Sequence, residues 1–456
     1  TTTNNNNNNN TTTTNNYSIT DVVFEPKFTY MGFRYVEVGG TALINHAGPL
    51  LPVTVKAHFT HSDLERTGHV STSSQVISGI VHATTYSQLG AWASLPTDCT
   101  QRERRGWLGD AQVTSEGQIH TLFAAPAYAK FLDDIADSQQ DEWSVYNGSI
   151  PEVCPNYGHG PVPPDPPFGV GYAVIWWNQY RYYGDTVALA AHYDGVKAFA
   201  ETLIVEAGGS GAVAGVLNKS THGDWVSVAN DTANATTCSG RAALDHHANA
   251  TCCLFMECPD TVVSGFYFIM QLRILMAAAD VLGKQKDVQR YSKLAQSAVS
   301  GLALASYNTR EKSLGFGYQT DQAMALALGN IIPQSDVQAV ANNLALDVFN
   351  HGGHLNTGVF GTKLLLPALS STGFGDTALG VLTQTTAPGW GAWVANNNAT
   401  TLFEMWGAYD GEPPSSGVAS HNHVMFSSFL PWIYQVIVGI AMDDGDFGVG
   451  VLPPTI

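Results

Sequence analysis

Charge is scarce in this chain. Only 13 % of its 456 residues are Asp, Glu, Lys or Arg, and bases are scarcer still, with 20 Lys and Arg against 38 acids and a formal net charge of −18. That balance excludes a nucleic-acid-binding role, because phosphate contacts need clustered Lys and Arg. No run of 18 consecutive apolar residues occurs, so no segment is expected to span a membrane. A P-loop, a dinucleotide glycine fingerprint and a Gly-x-Ser-x-Gly elbow between strand and helix are all missing, which excludes the chemistries those motifs serve. No secretory leader is recognisable, and Thr1 as the first residue suggests a processed or fragmentary chain.

Cysteine is sparse and unevenly spread. Four of the six, Cys238, Cys252, Cys253 and Cys258, crowd one stretch, which reads as local disulfides stapling a long loop in an oxidising compartment. A zinc site with His246 and His247 is the competing reading, but neither a Cys-x-x-Cys pair nor a spaced His pair is present, so no metal is expected. Cys99 and Cys154 are left open between free and bridged. Glycosylation sequons are abundant: Asn9, Asn10, Asn16, Asn147, Asn218, Asn230, Asn234, Asn249 and Asn398 each begin Asn-x-Ser/Thr. Together these features predict a secreted glycoprotein.

What the chain does have is apolar mass, 44 % of residues, enough for a large core. Residues 1–16 are only Thr and Asn and are expected to be disordered. Residues 17–65 alternate apolar and polar positions, as in Phe28-Thr-Tyr-Met-Gly-Phe-Arg-Tyr-Val-Glu-Val38, and predict a pair of strands. From about residue 70 to 440 the pattern is helical, some eleven or twelve segments. Val262–Leu282 is apolar nearly all round, and the next segment keeps Val288, Tyr291, Leu294, Ala298 and Leu302 on one stripe. That alternation predicts buried helices paired with amphipathic outer ones.

The most informative stretch is Asp98-Cys-Thr-Gln-Arg-Glu103-Arg-Arg-Gly-Trp107-Leu-Gly109-Asp110. Three carboxylates beside a tryptophan supply what glycoside cleavage needs: an acid, a partner base and a face on which a sugar ring can stack. The stretch resembles the signature of the α-L-rhamnosidases of glycoside hydrolase family 78, with Thr100 where proline is usual. Further matches follow in order at Tyr182-Tyr183-Gly184-Asp185, Gly223-Asp224-Trp225, Gly353-His354-Leu355-Asn356-Thr357-Gly358, Leu382–Thr386, Ala399–Trp406 and Ser420-His421-Asn422-His423. The resemblance spans roughly residues 20 to 440.

The resemblance implies a mainly α fold, an (α/α)6 toroid over 66–440, preceded by a short β segment over 17–65 as the remnant of a β-sandwich and followed by a tail over 441–456. It implies an inverting hydrolase releasing terminal α-L-rhamnose, needing no cofactor. Glu103 would be the general acid and Glu404 the base. Asp98, Arg102, Asp110 and Asp224 would bind the sugar, with Trp107, Trp225, Trp390 and Trp406 beside it and His423 donating to a hydroxyl. One departure stands out: where relatives carry Trp-x-Asp-Ala, this chain reads Phe168-Gly-Val-Gly-Tyr-Ala-Val-Ile-Trp-Trp177, leaving Tyr172 or Trp176 as substitutes. The alternatives are a glycosidase for another deoxysugar or an acidic sugar, and a catalytically decayed carbohydrate-binding or structural glycoprotein.

Overall fold

The computed structural model describes residues 23–33, 35–38, 54–140, 148–156, 164–208, 216–217, 220, 222–228, 260–406 and 420–442. The chain divides into two units, Thr1–Met31 and Gly32–Ile456. In the first, residues 23–31 form neither helix nor strand. The second holds every helix among the described residues.

Those helices run in chain order as α1 (Gln75–Ala91), α2 (Leu108–Thr121), α3 (Ala125–Gln139), the single turn α4 (Pro166–Gly169), α5 (Gly171–Tyr183), α6 (Thr186–Ala191) and α7 (Tyr193–Glu206). Then come α8 (Asp260–Val281), α9 (Gln285–Ser306), α10 (Gln319–Leu328), α11 (Val337–Asn350), α12 (Val359–Ser371), α13 (Gly375–Thr383), α14 (Trp390–Asn397) and α15 (Leu430–Trp432). Helix α15 lies inside a continuous turn of chain, Met425–Ile437, that begins tighter and ends wider than an α-helix.

Five of these and the segment Met425–Phe429 pack in a closed inner ring: α2 on α5, α5 on α8, α8 on α10, α10 on α12, α12 on Met425–Phe429, and that segment back on α2. Inner helices are buried on every side; all ten residues of α10 are covered. Outer partners bury one stripe, as in α9, which covers Tyr291, Ala295, Ala298, Val299, Gly301 and Leu302 and packs on α8. With α1, α3, α7, α9, α11 and α13 outside, the arrangement is six helical hairpins around one axis, the expected (α/α)6 toroid. Helix α8 qualifies the hydropathy reading: its window over 261–281 reaches a mean hydropathy of 1.6 and is long enough to cross a membrane, yet 89 % of it is buried inside the protein.

The strands expected over 17–65 are not formed among its described residues; 35–38 and 54–65 carry no strand. Tyr35, Val36 and Phe59 are exposed. A strand needs a partner edge for its backbone groups, and no such edge pairs with these residues among those described. The only ladders among the described residues are two two-residue pairs, 92–93 with 95–96 and 307–308 with 313–314. The cysteine cluster, His246 and His247, and residues 1–16 and 443–456 lie outside the described residues.

One of the quoted motifs serves the framework. Gly184, at φ +67°, ends α5 in the left-handed conformation that favours glycine, and Asp185 caps α6 by accepting from Ala188 N at 2.8 Å. Tyr182-Tyr183-Gly184-Asp185 is therefore a helix–turn–helix joint.

Candidate active site

Three stretches of chain meet at one end of the ring. Asp98 N donates to Arg105 O at 2.9 Å and Arg105 N to Asp98 Oδ1 at 2.8 Å, closing the acidic motif into a loop just before α2. Val424 N reaches Asp98 O at 3.3 Å, His423 N reaches Leu402 O at 3.0 Å, and Glu404 N reaches Ser420 O at 2.9 Å. These rungs bind residues 98–105, 402–404 and 420–424 side by side. Within the loop Glu103 N donates to Cys99 Sγ at 3.2 Å, and Arg104 sits at φ +56°, an uncommon conformation for a non-glycine residue. Burial pushes the Cys99 thiol up to about 12, and Cys99 and Cys154 are both free.

The side chains converge. Arg102 Nη2 lies 2.6 Å from Glu103 Oε1 and 3.1 Å from Glu404 Oε1. The second oxygen of each glutamate is also held: Trp107 Nε1 donates to Glu103 Oε2 at 2.8 Å, and Ser420 N to Glu404 Oε2 at 2.6 Å. His423, 4 % exposed, faces Asp98 Oδ2 at 3.9 Å and Asp110 Oδ1 at 3.6 Å. Asp98, Arg102, Glu103, Trp107, Asp110, Glu404 and His423, separated by more than 300 residues of sequence, thus form one cluster.

Burial and the crowding of acids raise three of these carboxyl groups, Asp98, Asp110 and Glu404, above their ordinary values. Burial holds Asp110 well above the ordinary carboxylate range, with Asp98 and both glutamates adding to it. Burial also raises Asp98, against the pull of His423. Glu404 is raised by burial while Arg102 opposes. Burial lowers His423 to about 4, so it is a neutral imidazole at physiological pH. The cluster therefore combines carboxyl groups able to carry a proton with carboxylates able to accept one.

Three expected sugar-binding residues lie elsewhere. Asp224 is buried, and its carboxylate is spent on the start of α12, accepting from Gly358 N at 2.8 Å, Phe360 N at 2.9 Å and Gly361 N at 3.0 Å as well as from the Thr320 hydroxyl. It satisfies orphan donors of a helix N-terminus. A Cβ at Gly358 would come within 2.3 Å of Asp224 O, so that joint requires glycine. Trp390 is fully buried, donates to Phe426 O at 2.9 Å and meets Trp406 edge to face. Trp406 donates to Thr357 O at 3.1 Å and stacks on Trp393 at 4.7 Å. Both tryptophans are core, their polar handles already used. Nor do Tyr172 and Trp176 fill the altered subsite: Tyr172 OH pairs with His192 Nδ1 at 2.9 Å and Trp176 Nε1 with Ala188 O at 3.0 Å, both away from the cluster.

The aromatic wall beside Glu103 is built differently from expectation. Trp107 packs edge to face with Phe168, ring centroids 5.6 Å apart, and with His222 at 5.9 Å. His222 in turn meets Trp225 at 5.0 Å and faces Glu152 Oε2 at 3.0 Å. His222 and Glu152 were not legible as site residues. His222 stands one position before Gly223-Asp224-Trp225, and Glu152 carries no local signal.

The bacterial α-L-rhamnosidase six-hairpin glycosidase domain model matches residues 65–437. An α-L-rhamnosidase of Streptomyces avermitilis is 28 % identical over 438 residues, covering 94 % of this chain and 38 % of its own length. One from Formosa agariphila is 26 % identical over 421 residues, covering 91 % and 42 %. Among solved structures, α-L-rhamnosidase from Dictyoglumus thermophilum superposes with a TM-score of 0.72 at 32 % identity, over 84 % of this chain and 39 % of that one. The Streptomyces avermitilis enzyme complexed with L-rhamnose gives 0.71 at 27 % identity, over 84 % and 33 %. The chain spans about two-fifths of the length of the curated relatives it matches.

Proposed function

Because this chain belongs to the bacterial α-L-rhamnosidase six-hairpin glycosidase family, we propose that it hydrolyses terminal α-L-rhamnosides with inversion, using Glu103 as acid and Glu404 as base. The observation that carries this reading is the single Arg102 nitrogen shared by the two glutamates, which supports a common cavity for a pair so distant in sequence. With the two contacts end to end, their nearest oxygens lie at most about 5.7 Å apart. An inverting pair stands ~6.5–9.5 Å apart to admit a water. If sugar and water enter between the two carboxyl groups, Arg102 would give up one of them and turn the freed donor to a sugar hydroxyl.

In this reading Trp107 keeps its grip on Glu103 Oε2, so Oε1 carries the proton to the leaving oxygen. Glu404, fixed by Ser420 N, takes a proton from water on the opposite ring face. His423, being neutral, donates one hydrogen bond to a sugar hydroxyl, and the proton-rich Asp110 and Asp98 accept or donate as the hydroxyls require. The surface of Trp225 faces the ring. The catalytic domain would occupy 66–440. The secreted, glycosylated and disulfide-bonded character is part of the same proposal. It is supported by Asn398, exposed in its sequon at the end of α14.

Purified chain should release 4-nitrophenol from an aryl α-L-rhamnoside, and Glu404→Ala should lose about 10²–10⁴-fold of that activity. Wild-type-like turnover in Glu404→Ala would remove it from the mechanism.

A further inference from the structure

We propose that His222, anchored by Glu152, is a positioning residue that fixes Trp107 and through it the proton-bearing carboxyl of Glu103; this rests on the role proposed for Glu103. The chain of contacts is continuous. Glu152 Oε2 lies 3.0 Å from His222 Nε2. The imidazole meets the Trp107 ring at 90° with centroids 5.9 Å apart, within the range of an edge-to-face pair. The Trp107 indole N–H then donates to Glu103 Oε2 at 2.8 Å.

The backbone fixes the near end of this relay. Leu108 N donates to Glu152 O at 2.8 Å, and Cys154 N to Gly106 O at 2.9 Å, so the segment carrying Glu152 runs against the segment carrying Trp107. A Cβ at Gly106 would come within 2.0 Å of Cys154 O, which makes glycine necessary for that approach. His222 comes from a separate loop and is the hub of the wall, with Phe168 at 4.7 Å and Trp225 at 5.0 Å. Both partners of the His222–Glu152 pair are largely covered, with side-chain exposures of 16 % and 9 %.

The requirement for such a brace is physical. Trp107 stands at the mouth of α2 with no side-chain capping bond, and Glu103 is on a turn whose next residue is in the left-handed region. Without a fixed ring the indole could swing, and Glu103 Oε2 would lose its donor. The fork of Arg102 would then be the remaining anchor, and substrate displaces it. An imidazole suits this place because one nitrogen can be pinned to a carboxylate while the ring presents a flat edge to two indoles. Leucine would fill the space without the pin, and phenylalanine would keep the ring without it.

The test compares His222→Phe, Glu152→Leu and Glu152→Gln on two substrates, an aryl α-L-rhamnoside with a good leaving group and an alkyl α-L-rhamnoside that needs protonation. His222→Phe and Glu152→Leu should lose about 10–100-fold more kcat on the alkyl substrate than on the aryl one, with KM within about threefold. Glu152→Gln, which still accepts from His222, should stay near wild type. An indole ¹⁵N–H spectrum, with the Trp107 signal assigned by Trp107→Phe, should show that resonance shifted and faster to exchange in His222→Phe. Equal losses on both substrates, or an unmoved Trp107 indole signal, would overturn the proposal. If Glu103→Gln is itself insensitive to the leaving group while the indole signal moves in His222→Phe, the acid assignment fails and the brace stands.

Discussion

Glu103 and Glu404 accept from the same Arg102 nitrogen, at 2.6 Å and 3.1 Å. Remove that cation and two carboxyl groups are left facing each other in a site where burial already raises Glu404. Arg102→Met is therefore expected to push Glu404 further up, so the base ionises only at higher pH. The rising, acid-side limb of the kcat/KM profile should move up in pH, with activity down about 10²-fold or more for loss of a preorganised donor. A profile with its limb unmoved would show that Arg102 does not tune the pair.

The Oδ1 of Asp110 is buried without a hydrogen-bond partner, and its carboxyl is raised well above the ordinary range. The folded protein thus binds a proton there at pH values where the unfolded chain has released it. Stability contributed by this group declines as pH rises from about 4, the unfolded value, through the raised folded value. Asp110→Asn should flatten that decline and raise neutral-pH stability by about 1–3 kcal/mol, while activity collapses. Thermal unfolding across this pH range checks it.

His423 moves the other way. Its folded value is depressed to about 4, against about 6.5 when unfolded, so it lowers stability as pH falls from about 6.5 to 4. A proton NMR titration of its ring should show the imidazole staying neutral as pH falls below about 6.5 and protonating only as it nears about 4. Titration near 6.5 would mean that it is solvated in solution.

Trp390 and Trp406 should behave as core. Either tryptophan replaced by alanine is expected to cost about 3–5 kcal/mol of stability in urea unfolding. Trp225→Ala, at a half-buried position, should instead raise KM with little change in the unfolding midpoint. The reverse pattern would restore Trp390 and Trp406 to the sugar.

The toroid was legible because its inner and outer helices differ in periodicity: α8 has no polar face and α9 has one. The site was legible where acids cluster in a motif, as in Asp98–Asp110. It was misread where a polar group beside glycine serves the backbone. Asp224 looks like a ligand in sequence, but its partners Gly358, Phe360 and Gly361 are far along the chain and only folding brings their N–H groups to it. The tryptophans near Glu404 misled for a similar reason, since closeness in sequence says nothing about which side of a segment faces the cavity. The described part of 17–65 shows strand alternation without strands, because a pattern of faces cannot supply the partner edge. His222 and Glu152 were invisible because their link is made through space.

The anomer first released from an α-L-rhamnoside tests the Glu103–Glu404 assignment most directly. Proton NMR of the reaction mixture, read before the sugar mutarotates, should show β-L-rhamnose appearing first, with Glu404→Ala inactive in the same assay. Initial release of α-L-rhamnose, or no release of rhamnose at all by the wild-type chain, would contradict the account.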